Sequence, residues 1–251
     1  MEKVAAGIWI FLFGAVIGSF LNVCIYRIPR GEEVVKTPSH CPRCGKTLKW
    51  YELIPIVSFF IQGGRCRNCK ERISFQYPVV ESANGLFYLW IFCRMGYQPL
   101  GILYCLCTSV LMVLAVIDWR TLEIPPGCNY FIGGLGVIRL LLEPSGWKGQ
   151  AVGFLAVSGL FLLVYLITKG NGIGGGDIKL MAAAGFFIGW QKILLALAIG
   201  SIVGSVIHIS LMKLKDKSRV LAFGPYLALG IFCAMLYGDE LISWYLRFCG
   251  F

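Results

Sequence analysis

Four cysteines and two aspartates carry the chemistry that can be read from this chain. The cysteines fall as "CPRC" at Cys41–Cys44 and "CRNC" at Cys66–Cys69. Each C-x-x-C pair offers two sulfurs from one tight turn, and two pairs joined by a loop can surround one tetrahedral ion. Pro42 and Gly45 suit the first of these turns. Two disulfides or four idle thiols are the other readings; a reduced compartment argues against the first and the regular spacing against the second. With Cys41, Cys44, Cys66 and Cys69 all bound, no position stays open for water or substrate. The expected zinc (iron would accept the same ligands) is therefore structural.

The aspartates lie far apart in the chain. Asp118 closes the apolar run "LAVID", and Asp177 follows Gly174, Gly175 and Gly176 in "IGGGDIKL". Two carboxylates that meet cannot both ionise readily, so such a pair shares one proton and titrates as a unit. One member then acts as base on a trapped water while the other, protonated, polarises a peptide carbonyl. That chemistry cleaves peptides without a metal. The three glycines would let a backbone or a substrate strand approach Asp177 closely. The residues alone leave a second reading open, in which Asp177 caps a helix and Asp118 marks the membrane interface of a transporter or scaffold.

The elements that must position these groups are membrane helices. Of the 251 residues, 57% are hydrophobic and 14% charged, a balance that excludes an ordinary soluble domain. Apolar segments of roughly spanning length cover 6–26, 78–97, 99–117, 128–142, 150–168, 179–190, 192–213 and 220–237. The expected fold is an all-α polytopic membrane protein of about eight transmembrane helices with a small zinc-binding cytosolic loop domain. Its divisions are a first transmembrane helix at 1–26, the loop domain at 27–77, and a multi-span core at 78–251. The first segment starts like a signal peptide but lacks a cleavage site and is read as a retained helix, with its amino terminus outside the cytosol.

The net charge of +10 is explained by topology. All 23 basic residues except Lys3, Arg94, Arg139, Lys148, Lys192 and Arg247 fall at or beside the loops 27–77, 118–127, 169–178 and 214–219. Positive residues mark the cytosolic side, so Asp118 and Asp177 are both expected at the cytosolic rim. Attraction to anionic membrane lipid is the partner this charge implies; nucleic acid is not required.

Beyond single residues, the chain resembles a known family. "IGGGD" matches the G-x-G-D motif of membrane aspartyl peptidases. "GAVIGSFLNVCIYRIPRG" (14–31), "LKWYELIPIVSFFIQGGRCRNC" (48–69), "ISFQYPVVE" (73–81), "DWRTLEIP" (118–125), "GGGDIKLMAA" (174–183) and "FGPYLALG" (223–230) are similar to bacterial type IV prepilin leader peptidases/N-methyltransferases, in order over nearly the whole chain. The resemblance implies an inner-membrane enzyme with two activities. It would cut the basic leader of type IV prepilins or type II secretion pseudopilins after a glycine, on the cytosolic side. It would then methylate the new amino terminus with S-adenosylmethionine. The family's catalytic aspartates fall on Asp118 and Asp177, and its zinc cysteines on Cys41, Cys44, Cys66 and Cys69. The chain departs from the family at "IPPG" (124–127), where "IPD" or "IPN" is usual.

No soluble methyltransferase domain is visible, so the methyl donor would bind at the membrane surface. Glu81, Asn84 and Asn22 are candidate contacts, with interhelical hydrogen bonding as the equal alternative. Arg27 and Arg30 could serve there or anchor the helix end. His208 and the seven remaining cysteines are expected to be packing residues, and 239–251 is expected to form an interfacial helix.

Overall fold

The computed structural model describes residues 2–214 and 222–250. Among these the regular elements are helical, and β pairing is limited to two isolated bridges, His40–Thr47 and Arg65–Arg72. The α-helices are α1 (Glu2–Arg27), α2 (Val57–Ile61), α3 (Gln76–Met95), α4 (Pro99–Thr121), α5 (Pro126–Leu142), α6 (Trp147–Ile167), α7 (Gly175–Ile188), α8 (Trp190–Leu214) and α9 (Gly224–Phe248). Each expected apolar segment falls on one of α1 and α3–α9, with 220 and 221 outside the described residues. The basic loop expected at 214–219 lies almost wholly outside them too.

Among the described residues, five stretches are long and apolar enough to cross a membrane: Val4–Arg30, Pro99–Thr121, Pro144–Ile167, Trp190–Ser210 and Gly224–Phe248. Besides the five-residue α2, three helices fall short for different reasons. With 14 residues, α7 extends only about 21 Å against a hydrocarbon layer of about 30 Å. The 17 residues of α5 are apolar but also short. α3 is long enough at 20 residues, but Gln76, Glu81, Asn84 and Arg94 interrupt its apolar run. The stretch expected as a separate interfacial helix instead continues α9 to Phe248.

Packing groups the chain into two compact units, Met1–Ser109 and Val110–Phe251. In the first, α1 lies against α3 through small residues. A Cβ added at Gly14 would lie 2.9 Å from the Gly85 Cα, and one at Gly18 would lie 2.7 Å from the Glu81 Cα. This is small-x-x-x-small packing, which lets two backbones touch where lipid provides no hydrophobic drive for association.

The second unit repeats the device. α6 and α7 cross where Gly153 meets the Gly185 carbonyl, and α8 and α9 cross where Gly230 meets the Ala196 carbonyl. At the far end of that second pair, Lys192 Nζ lies 2.7 Å from Asp239 Oδ2. The short α7 ends inside the unit, and its Phe187 carbonyl accepts a hydrogen bond from Arg139 Nη1 at 2.7 Å. That side chain answers a carbonyl that a full-length helix would bond internally.

Gly153→Ala should lower thermal stability in detergent by about 1–3 kcal/mol, because the methyl meets backbone. Gly159→Ala on the same helix meets nothing within 4 Å and should stay within about 1 kcal/mol of the parent. Paired melting curves check the contrast.

Candidate active site and metal centre

The second unit brings the two aspartates together from helix ends. Asp118 sits in the last turn of α4 and is 5% exposed. Its Oδ2 accepts a 2.9 Å hydrogen bond from the backbone N–H of Gly224, the first residue of α9. A carboxylate there meets both a free N–H and the positive end of the helix dipole. Any side chain at Gly224 would place its Cβ 2.7 Å from that oxygen. Sequence reasoning gave Gly224 no role, although "FGP" ahead of an apolar run is a visible helix start.

Asp177 occupies the first turn of α7, with its N–H on the Gly174 carbonyl at 3.1 Å. Its carboxylate bonds the Gly174 backbone and lies within electrostatic reach of Asp118. Oδ1 of Asp177 is buried without a hydrogen-bond partner.

The three glycines before Asp177 do different things. Gly176 packs on the turn that follows Asp118, where an added Cβ would lie 3.0 Å from Ile124 Cβ. A Cβ on Gly174 would lie 3.2 Å from Asp177 Oδ2, whereas one on Gly175 would meet nothing within 4 Å. None of the three has positive φ; the loop turns earlier, at Lys169 (φ 51°) and Gly170 (φ 83°). The unusual "IPPG" is accommodated because Pro125 caps α5 and Pro126 opens it, where a missing N–H costs nothing.

In the first unit, Cys41, Cys44, Cys66 and Cys69 converge, their sulfurs all within 4.8 Å of one another. Cys41 and Cys69 Sγ are 3.8 Å apart. A tetrahedral ion with metal–sulfur bonds of about 2.3 Å requires sulfur separations near 3.8 Å, so the set fits zinc. The two halves use one turn twice. Cys41 N–H bonds Lys46 O and Gly45 N–H bonds Cys41 O, matched by Cys66 N–H to Glu71 O and Lys70 N–H to Cys66 O. Gly45 (φ 70°) and Lys70 (φ 59°) hold the same left-handed position.

Hydrogen bonds bias the thiols unequally. The Lys46 backbone and the Asn68 amide pull the Cys44 thiol down to about 6, while the Cys69 thiol, although it accepts a bond from the Glu71 backbone, is pushed up to about 11 by burial and its sulfur neighbours.

Buried Arg27 and Glu81 grip the loop carrying these cysteines, and further polar bonds tie the neighbouring helices. Arg27, 4% exposed at the end of α1, donates to the carbonyls of Glu33, Val34, Thr37 and Pro38. Arg30 donates to Tyr26 O and stacks on the Tyr26 ring. Asn84 donates to Gly14 O at 2.7 Å and accepts from Ser109 Oγ at 3.0 Å. Asn22 donates to Tyr77 O and accepts from Gln76. Glu81 accepts from Ile56 N–H at 2.7 Å.

That last bond holds a strained residue. Ile56 has φ 62° and ψ −55°, and Val57 N–H bonds back to Pro55 O, which is a γ-turn of the rare hand. All three candidate cofactor contacts thus have partners within the unit. His208 is half-buried on α8, and all the cysteines are free thiols.

Comparison with known proteins places the chain in a family. The model of the bacterial peptidase A24 N-terminal domain matches residues 12–95, and that of the type IV leader peptidase family matches 105–209. Proteins named prepilin leader peptidase/N-methyltransferase are similar over nearly the full chain. The one from Pseudomonas aeruginosa is 31% identical over 96% of this chain and 93% of its own. The one from Bacillus subtilis is 34% identical over 95% and 97%, and that from Aeromonas salmonicida 34% over 94% and 92%. No solved structure matches. The chain belongs to the type IV leader peptidase family.

Glu81→Ala should free the γ-turn and make residues 53–64 the first site of limited proteolysis. Glu81→Gln, which still accepts the Ile56 bond, should be cut much more slowly; mass mapping of the first fragments checks both.

Proposed function

We propose that this chain is a bifunctional membrane enzyme. It removes the basic leader of a type IV prepilin or type II secretion pseudopilin after a glycine, and then methylates the amino terminus it has exposed. The observation that carries the reading is the meeting of Asp118 and Asp177 at helix ends, in a chain whose relatives are named for both activities.

The mechanism follows from two carboxylates sharing one proton. The ionised member takes a proton from water, whose oxygen adds to the scissile carbonyl carbon. The protonated member donates to the carbonyl oxygen. The C–N bond then breaks and a proton returns to the leaving amine. Gly224 N–H holds Asp118 in place throughout, and the unpartnered Oδ1 of Asp177 faces no competing donor.

S-adenosylmethionine, when bound, would supply an electrophilic methyl group for the free amine. Asn22, Glu81 and Asn84, the polar groups of the α1–α3 seam, are proposed to lie nearest to it. Cys41, Cys44, Cys66 and Cys69 are proposed to hold a zinc ion that folds residues 27–77, a segment too small to build its own core and associated with the methyltransferase. Residues 78–251 form the peptidase core in this reading. The amino terminus lies outside the cytosol of the inner membrane and the dyad on the cytosolic side. α3 and α5 complete the crossing set, and α7 enters the bilayer only part of the way.

Intact mass of a synthetic prepilin peptide, incubated with purified protein, tests the reading. Cleavage should occur with or without S-adenosylmethionine, and a methyl group should appear only with it. Asp118→Asn and Asp177→Asn should each abolish cleavage in protein that still inserts and retains its metal. Full cleavage by either variant contradicts the dyad. Cys41→Ser with Cys44→Ser should remove one ion per chain and depress methylation more than cleavage; equal loss of both would give the loop a purely scaffolding role.

A further inference from the structure

A polar side chain within about one helical turn of Asp177 has no partner. Asn129 is 5% exposed in the first turns of α5, and neither its amide nitrogen nor its amide oxygen makes a hydrogen bond. An orphaned amide in a membrane protein's interior is costly, and two orphaned atoms on one side chain call for a ligand with both a donor and an acceptor.

The packing locates it. α5 packs mainly on α7, through the buried face of Cys128, Asn129, Ile132, Leu135 and Gly136. Two contacts bracket Asn129. Ile124 lies against Gly176 at one end, and Gly136 lies against Phe186 further along. The two helices therefore run side by side in the same direction. Interpolation between the contacts puts Asn129 beside the Ile178–Met181 turn, about one helical turn further along than Asp177. Asp177 Oδ1, which also lacks a partner, sits just before it.

We propose that Asn129 binds the substrate backbone: its carboxamide pairs with the N–H and C=O of one peptide unit of an extended strand. The inference rests on the peptidase reading above. In that reading the leader lies on the aqueous side and the mature segment runs inward, so a group one turn deeper than Asp177 meets the peptide unit between the first and second mature residues. A carboxamide suits this task because it recognises any sequence, offers one donor face and one acceptor face, and carries no charge into the bilayer. The cost of leaving it unpaired in the free enzyme is the expected signature of a site built for a ligand rather than for stability.

Two variants and one altered peptide test this. Asn129→Leu keeps the branched outline of the side chain and removes both orphaned atoms, so the protein should melt at a higher temperature than the parent while kcat/KM for peptide cleavage falls about tenfold. Asn129→Ala should lose a similar factor.

The altered peptide has an ester in place of the amide between the first and second mature residues, which removes the N–H. The parent should cleave it about tenfold more slowly than the all-amide peptide, and both variants should lose little further. If variant and ester losses multiply, Asn129 does not touch that unit and the proposal is wrong. It is equally wrong if Asn129→Leu melts lower than the parent or cleaves at the parental rate. Parental cleavage of the all-amide peptide, and its loss in Asp177→Asn, report separately on the peptidase reading.

Discussion

In the proposed reading, the second unit turns on bringing two carboxylates together inside an apolar body. Asp118 reaches that position because α9 begins at Gly224, whose N–H meets the carboxylate and whose missing side chain leaves room for it. Asp177 reaches it because α7 begins with glycines, one of which lies flush against Ile124 in the turn leaving Asp118. Like charges at close range repel, and neither hydrophobic burial nor lipid would hold them there. Backbone contacts must do so. The glycine crossings at Gly153–Gly185 and Ala196–Gly230 hold α7 against α6 and α9 against α8, the two helices whose first turns carry Asp177 and Gly224.

The first unit solves a different problem. Its polar loop is too short to enclose much apolar surface, so order comes from directed bonds. Arg27 gathers four carbonyls just ahead of the first cysteine pair, and Glu81 pins a γ-turn between the pairs. The four sulfurs converge at the spacing a tetrahedral ion needs. A β-branched residue at positive φ persists only where its surroundings over-determine it, which is what the Glu81 bond and the flanking turn provide at Ile56.

Much of this was legible in the chain because the signals are local. Apolar runs marked the helices, the two C-x-x-C pairs marked the sulfur cluster, and both aspartates stood out as acids at the ends of apolar segments. The number of spanning helices was not legible. α7 stops at Gly189 through its own glycine and through Arg139, a partner distant in sequence.

Roles that depend on who lies opposite were also hidden. Arg27 looked like a membrane anchor, Gly224 like one more glycine, and Asn129 like nothing in particular. Asn84 looked equally suited to a cofactor and to a helix seam; its bonds to Gly14 and Ser109 depend on partners far away in sequence. The glycines before Asp177 were expected to let a backbone or a substrate strand approach; the structure sets Gly176 against Ile124, and the loop turns earlier, at Lys169 and Gly170.

The pH dependence of peptide cleavage by the purified enzyme tests the central claim most directly. Two carboxylates that share one proton are active only in the singly protonated form, so the rate should fall on both sides of an optimum with a slope of about one on each limb. A rate that rises to a plateau, or is flat through the range where carboxylates titrate, would contradict the shared proton and with it the account of why these helix ends meet.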